Sequence, residues 1–187
     1  FVICRGVMRV LLAERLNTSP TLIQFDYGDK GKPRLTNSAV EFNLSHTKDW
    51  AYFGMSDSIP LGIDLEFMRP AAHHGWIDIA KRFFAPAEFK ILSALPVDAQ
   101  AEAFFCCWTQ KEAYIKLHGI GLSLPLDQFT VNVDPASPAK LLTTTWNPAD
   151  LGQSRLYHLE APHSYRASVA LRSVGSVNIT YQQFINH

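Results

Sequence analysis

The chain has no surplus of charge of either sign. Seventeen Lys and Arg residues balance 17 Asp and Glu residues over 187 positions. A general nucleic-acid binder carries a clear basic excess, so that class is disfavoured, although a local basic pocket for a small phosphorylated molecule is not. Cysteine is scarce, with three residues (Cys4, Cys106 and Cys107), an odd number and two of them adjacent. Neither a disulfide framework nor metal-ligand spacing emerges, and a reducing, cytoplasmic setting is expected. No apolar run reaches membrane-spanning length. The apolar opening stretch is interrupted by Arg5, Arg9, Glu14 and Arg15, which a signal peptide would not tolerate. Low-complexity segments and flexible linkers are absent too. What remains is a chain with 47% apolar residues, enough to bury a substantial core.

It opens on Phe1 inside a helical pattern, so an N-terminal segment is expected to be missing. Val7, Val10, Leu11 and Leu12 give helical spacing over Cys4 to Leu16. Leu22 to Tyr27 reads as a strand and Gly28 to Pro33 as a turn. Strands are expected over Phe42 to Ser45, Trp50 to Met55 and Leu61 to Phe67, with Ser56 to Pro60 as a hairpin loop between the last two. The middle is helical: Ile77 to Phe84, then a helix opened by Pro86 and running to about Leu95. A long helix follows, N-capped by Asp98, running through Lys116 and stopped at Gly119. Further strands are expected over Gln128 to Val133, Lys140 to Thr145, Tyr157 to Glu160 and Tyr165 to Leu171. This order implies an α+β fold with antiparallel sheets.

Four groups of residues invite chemistry. In Gly62-Ile63-Asp64-Leu65-Glu66, strand alternation points Asp64 and Glu66 to one face, roughly 7 Å apart at Cα. Two like charges there need compensation, which a hard cation such as Mg²⁺ supplies, but a solvated strand face explains the pair equally simply. In Trp108 to Lys116, residues four apart share a helix face, so Trp108, Glu112 and Lys116 form one stripe. Glu112 and Lys116 are either an ordinary surface pair or a third metal-binding acid with a cation one turn along. Ser45 and His46 end a strand. Adjacent strand residues point apart, so they make a poor nucleophile–base dyad and a local turn is the simpler reading. Lys32, in Gly31-Lys32-Pro33, is either solvated or a point charge for phosphate.

Taken in order, GKP at 31–33, FNLSH at 42–46, GIDLE at 62–66, AKRFF at 80–84 and WTQKEAYIKLHGIGLSLPL at 108–126 resemble the Sfp-type 4′-phosphopantetheinyl transferases over almost the whole chain. The resemblance implies a pseudo-twofold α+β fold of two similar halves, each with a small antiparallel sheet packed on helices. The N-terminal half would occupy residues 1–70, its beginning cut short, and the C-terminal half 71–187. It implies Mg²⁺-dependent transfer of phosphopantetheine from coenzyme A to a serine of an apo acyl or peptidyl carrier protein, by a cytoplasmic monomer with no nucleic-acid or membrane partner. Asp64, Glu66 and Glu112 would bind the metal. Lys116 would meet the diphosphate, and Lys32, Ser45, His46 and Arg5 would contact coenzyme A. Glu112 or Glu66 would take the serine proton, with Glu88 a third candidate, and Gly121 and Leu122 would shape the substrate turn. A different Mg²⁺ enzyme acting on a diphosphate and a non-catalytic binding module are the alternatives.

Overall fold

A computed structural model describes residues 2–69 and 75–183; the side chains of Val2 and Leu122 lie outside the described residues, as does the expected half boundary at 70–71. The architecture is α+β. Helix α1 (Val2–Arg15) precedes a short pair, β1 (Phe25–Tyr27) and β2 (Pro33–Leu35), then β3 (Glu41–Thr47), β4 (Trp50–Ser56) and β5 (Leu61–Phe67). Three helices follow, α2 (Gly75–Phe83), α3 (Pro86–Ala94) and α4 (Val97–His118). The chain then continues through β6 (Phe129–Val131), β7 (Leu141–Thr144), α5 (Asp150–Gln153), β8 (Ser154–Leu159) and β9 (Tyr165–Arg172). All strand pairs are antiparallel: β1 with β2, β3 with β4, β6 with β7, and a three-stranded sheet ordered β5-β9-β8.

Several sequence expectations need correction. Leu22 to Tyr27 is not one strand. A 3₁₀ turn over Pro20–Leu22 occupies its start, because Pro20 fixes φ and Ser19 accepts the Thr21 amide. The turn expected over Gly28 to Pro33 ends one residue earlier, because Pro33 opens β2. Ser56 to Pro60 is not a hairpin loop: β4 pairs with β3 while β5 pairs with β9, so this segment carries the chain from one sheet to the next. Asp98 does not cap α4. Pro96 holds that position in extended backbone, and Asp98 lies in the first turn, where its charge favours the helix dipole. Gly119 does end α4, with φ +67° in the left-handed region.

The two sheets meet through side chains. The Ile63 amide donates to Asn43 Oδ1 at 2.8 Å, and the Leu65 amide donates to Ser45 Oγ at 3.1 Å. Asn43 and Ser45 thus replace a backbone partner for the free edge of β5, and satisfy amides that would be costly to bury unpaired.

Helix α4 packs across β5 and β9. Its apolar residues join Phe84, Leu92, Leu126, Phe129 and others in the main core. Phe104 stacks on Phe84 with centroids 5.4 Å apart, and Trp108 extends the stack. A buried ion pair crosses this core. Lys111 Nζ lies 2.8 Å from Glu88 Oε2 and also donates to the carbonyls of Leu126 and Phe129.

Candidate active site

The site forms where α4 crosses β5, and Gly62 sets how closely they approach. A methyl group at residue 62 would lie 2.1 Å from the Leu117 amide nitrogen and 2.2 Å from the Ala113 carbonyl oxygen. Only a residue without a side chain lets the helix backbone rest on the strand there. In consequence the stripe Trp108, Glu112 and Lys116 faces the strand positions Asp64 and Glu66.

Asp64 is the centre of this arrangement and is only 3% exposed. Lys116 Nζ donates to its Oδ1 at 2.6 Å and to Ser45 Oγ at 3.0 Å. Ser45 Oγ itself donates to Asp64 Oδ1 at 3.1 Å. The other carboxylate oxygen, Oδ2, is buried without a hydrogen-bond partner. Burial raises the pKa of Asp64, against the opposing pull of Lys116, Ser45 and the Leu65 amide.

Glu66 and Glu112 share this field. Burial raises the pKa of Glu66, the negative charge of Asp64 raises it further, and a hydrogen bond from Trp108 opposes the shift. Glu112 is pushed up to about 7, first by burial, then by the charge of Asp64, with Lys116 opposing and Glu66 adding. The three carboxylates therefore sit close enough to feel one another, and protonation or a cation would relieve their repulsion.

Hard oxygen donors of this kind suit Mg²⁺, and the orphaned Oδ2 of Asp64 is an atom such an ion would satisfy. Among the described residues, no three His, Cys, Asp or Glu side chains already converge as a finished cage. The strongest cation at the centre is instead the Lys116 ammonium, on Asp64 Oδ1. The residue types fit such a metal, and one oxygen of Asp64 is held by Lys116.

The other expected site residues are placed differently. Ser45 is buried at the hub of the site and positions Asp64 and Lys116. His46 is exposed on the opposite side of β3, and Arg5 is exposed on α1. Lys32 Nζ donates to the carbonyls of Leu61 and Leu117, at 2.9 and 3.0 Å, and so ties the start of β5 to the last turn of α4. Burial lowers its pKa to about 8. Glu88 is not brought to the acids. It is 2% exposed in the core, where Oε2 accepts the Ala85 amide and Lys111 and Oε1 accepts the Val131 amide at 2.7 Å. Its partners there are the Lys111 ammonium and two backbone amides.

Sequence reasoning missed Asn43 and the Trp108 contact to Glu66. The Asn-x-Ser alternation in Phe42 to Ser45 was the available signal for the first, since both side chains point to one strand face.

An α+β fold that brings three acids and a lysine together at a strand–helix crossing defines a protein with a candidate cation site. Residues 60–170 match the 4′-phosphopantetheinyl transferase superfamily, and the chain belongs to that superfamily. It is 37% identical over 156 residues to the 4′-phosphopantetheinyl transferase HetI of Nostoc sp. (strain PCC 7120 / SAG 25.82 / UTEX 2576), covering 81% of this chain and 65% of that protein. It is 41% identical to a 4′-phosphopantetheinyl transferase of Bacillus subtilis and 36% identical to Sfp of Bacillus subtilis (strain 168), in each case over 68% of this chain and 55% of the relative. The chain thus spans between about half and two thirds of the length of these curated relatives. Among the described residues no helix is long and apolar enough to cross a membrane.

Proposed function

We propose that the chain transfers the 4′-phosphopantetheine group of coenzyme A to a serine hydroxyl of an apo acyl or peptidyl carrier protein, releasing adenosine 3′,5′-bisphosphate. The observation that carries this reading is the buried Asp64, with one oxygen on Lys116 and the other unpartnered, beside two further carboxylates of raised pKa. Family membership supplies the reaction class. Residues 1–70 and 71–187 would form its two halves in one monomeric, cytoplasmic chain. Its free cysteines suit a reducing compartment.

Asp64, Glu66 and Glu112 would hold Mg²⁺, which when bound neutralises diphosphate charge. The carrier serine oxygen would bond to the phosphorus on the pantetheine side as that phosphorus loses its bond to the bridging diphosphate oxygen. Glu112, at the edge of the acid cluster, is the first candidate to accept the serine proton. Glu66 is the second candidate base. The Lys116 side chain is partly exposed and would offset the charge growing on the departing phosphate. Exposed His46 and Arg5 remain candidate contacts for the nucleotide end of coenzyme A. For Lys32 and Ser45 the proposed role is indirect, holding α4, β5 and Asp64 in register.

Mass spectrometry of an apo carrier protein incubated with the chain, coenzyme A and Mg²⁺ tests the reading. A mass gain of one phosphopantetheine that disappears with EDTA is expected. Adenosine bisphosphate release without carrier modification would instead identify a diphosphate hydrolase.

A further inference from the structure

A carboxylate buried as deeply as Asp64 needs a partner cation. The structure supplies one from within the chain. Lys116 leaves the last turn of α4 and places its ammonium on Asp64 Oδ1, with Ser45 Oγ as a second acceptor. Ser45 is thereby saturated: it donates to Asp64 and accepts from Leu65 and Lys116. The Lys116 side chain is 29% exposed and Asp64 only 4%, so the anion is fixed and the cation, at the end of a flexible stem, is the accessible partner.

A divalent ion bound at Asp64 lies about 2.1 Å from a carboxylate oxygen. An ammonium on the same carboxylate would then be pressed against a like charge at short range. The two cations compete for Asp64, and the more mobile one yields.

We propose that Lys116 is a placeholder cation. It occupies Asp64 until a divalent ion arrives, and it then swings to the diphosphate that enters with that ion. This rests on the reading of Asp64, Glu66 and Glu112 as a cation site. The metal alone binds weakly, because it must evict Lys116 into a position without a partner. Metal and diphosphate together bind well, because the diphosphate receives the displaced ammonium. Lys116 therefore couples the two ligands, and the coupling is reciprocal.

Manganese titration followed by electron paramagnetic resonance, with no coenzyme A present, tests this on the whole chain. Lys116→Met is expected to bind Mn²⁺ about tenfold or more tightly than wild type, because the competing charge is gone. Inorganic pyrophosphate is expected to tighten Mn²⁺ binding strongly in wild type and much less in the variant. If Lys116→Met fails to fold, Lys116→Gln, which keeps a donor toward Asp64 and Ser45, is titrated in its place with the same expectation. Mn²⁺ affinity equal to or below wild type in the folded variant overturns the proposal, as does an undiminished pyrophosphate effect. The outcome is independent of the carrier assay: tighter Mn²⁺ binding with no carrier modification would retain the placeholder and reject the transfer reaction.

Discussion

Gly62→Ala is the sharpest test of how the site is built. The new methyl carbon would sit 2.1 Å from the Leu117 nitrogen, 2.2 Å from the Ala113 oxygen and 2.6 Å from the Lys116 carbonyl carbon. All three are backbone atoms of α4, so no rotamer change relieves the overlap. Ordinary contact begins near 3.4 Å, so helix and strand must separate by about 1.3 Å. Overpacking of this kind costs about 1–3 kcal/mol. The same retreat carries Lys116 off Asp64, where the present distance is 2.6 Å, and carries Glu112 away from the strand acids. A displacement near 1 Å in a reacting assembly costs on the order of 100-fold in rate. Thermal unfolding and steady-state carrier modification, measured on the same preparation, should both fall. Gly54→Ala is the matched control. Its methyl would meet Leu61 Cδ1, the end of a side chain, at 2.4 Å, and rotation of that leucine can absorb it with less loss of rate. A Gly62→Ala protein with wild-type melting temperature and turnover would refute the claim that this contact sets the site.

Asp64→Ala should abolish carrier modification yet leave the melting temperature nearly unchanged. It removes a costly buried carboxyl, and Lys116 can turn to solvent; loss of folding instead would show that the ion pair holds the two elements together. Glu88→Gln should lower stability by about 3–5 kcal/mol by stranding buried Lys111, with turnover per folded molecule little changed. An opposite pattern, stable but inactive, would return Glu88 to the reaction. Glu112 gives a pH signature in the metal-free protein. Its folded pKa of about 7 lies above the usual 4.5, so the folded state holds a proton that the unfolded chain has released between those values. Stability from this group is present below about pH 4.5 and is lost as pH rises to about 7, while affinity for a divalent cation rises over the same window. Denaturant titrations of wild type and Glu112→Gln across pH 5 to about 8 should show a steeper slope in wild type. Equal slopes would place the titration elsewhere.

Much of this site was legible in one dimension because its parts follow helix and strand periodicities. Alternation put Asp64 and Glu66 on one face, and four-residue spacing put Trp108, Glu112 and Lys116 on one stripe. No periodicity states which stripe meets which strand. That depended on Gly62, whose lack of a side chain is silent in a pattern of charges. Ser56 to Pro60 lies between two strands and so suggests a hairpin, but adjacency does not name a strand's partner, and β5 pairs with β9 about a hundred residues on. Glu88 enters as a candidate base only through the resemblance, and its burial is not visible in the sequence. A charged residue in sequence carries no mark of burial, and here two of them neutralise each other inside the core. Asp98 has no capping role because the helix starts two residues earlier, where the Pro96 carbonyl accepts the Ala99 and Gln100 amides at 2.9 and 3.1 Å.

The junction of β3 and β5 has a consequence of its own. Peptide groups will pair whatever residues carry them, whereas this seam is stitched by one amide oxygen and one hydroxyl, at Asn43 and Ser45. It can unbutton while the β5–β9 ladder stays zipped. The hydrogens on the nitrogens of Ile63 and Leu65 would then trade with deuterium ahead of their neighbours along the same strand, and the chain would carry its own gauge of when its two sheets part.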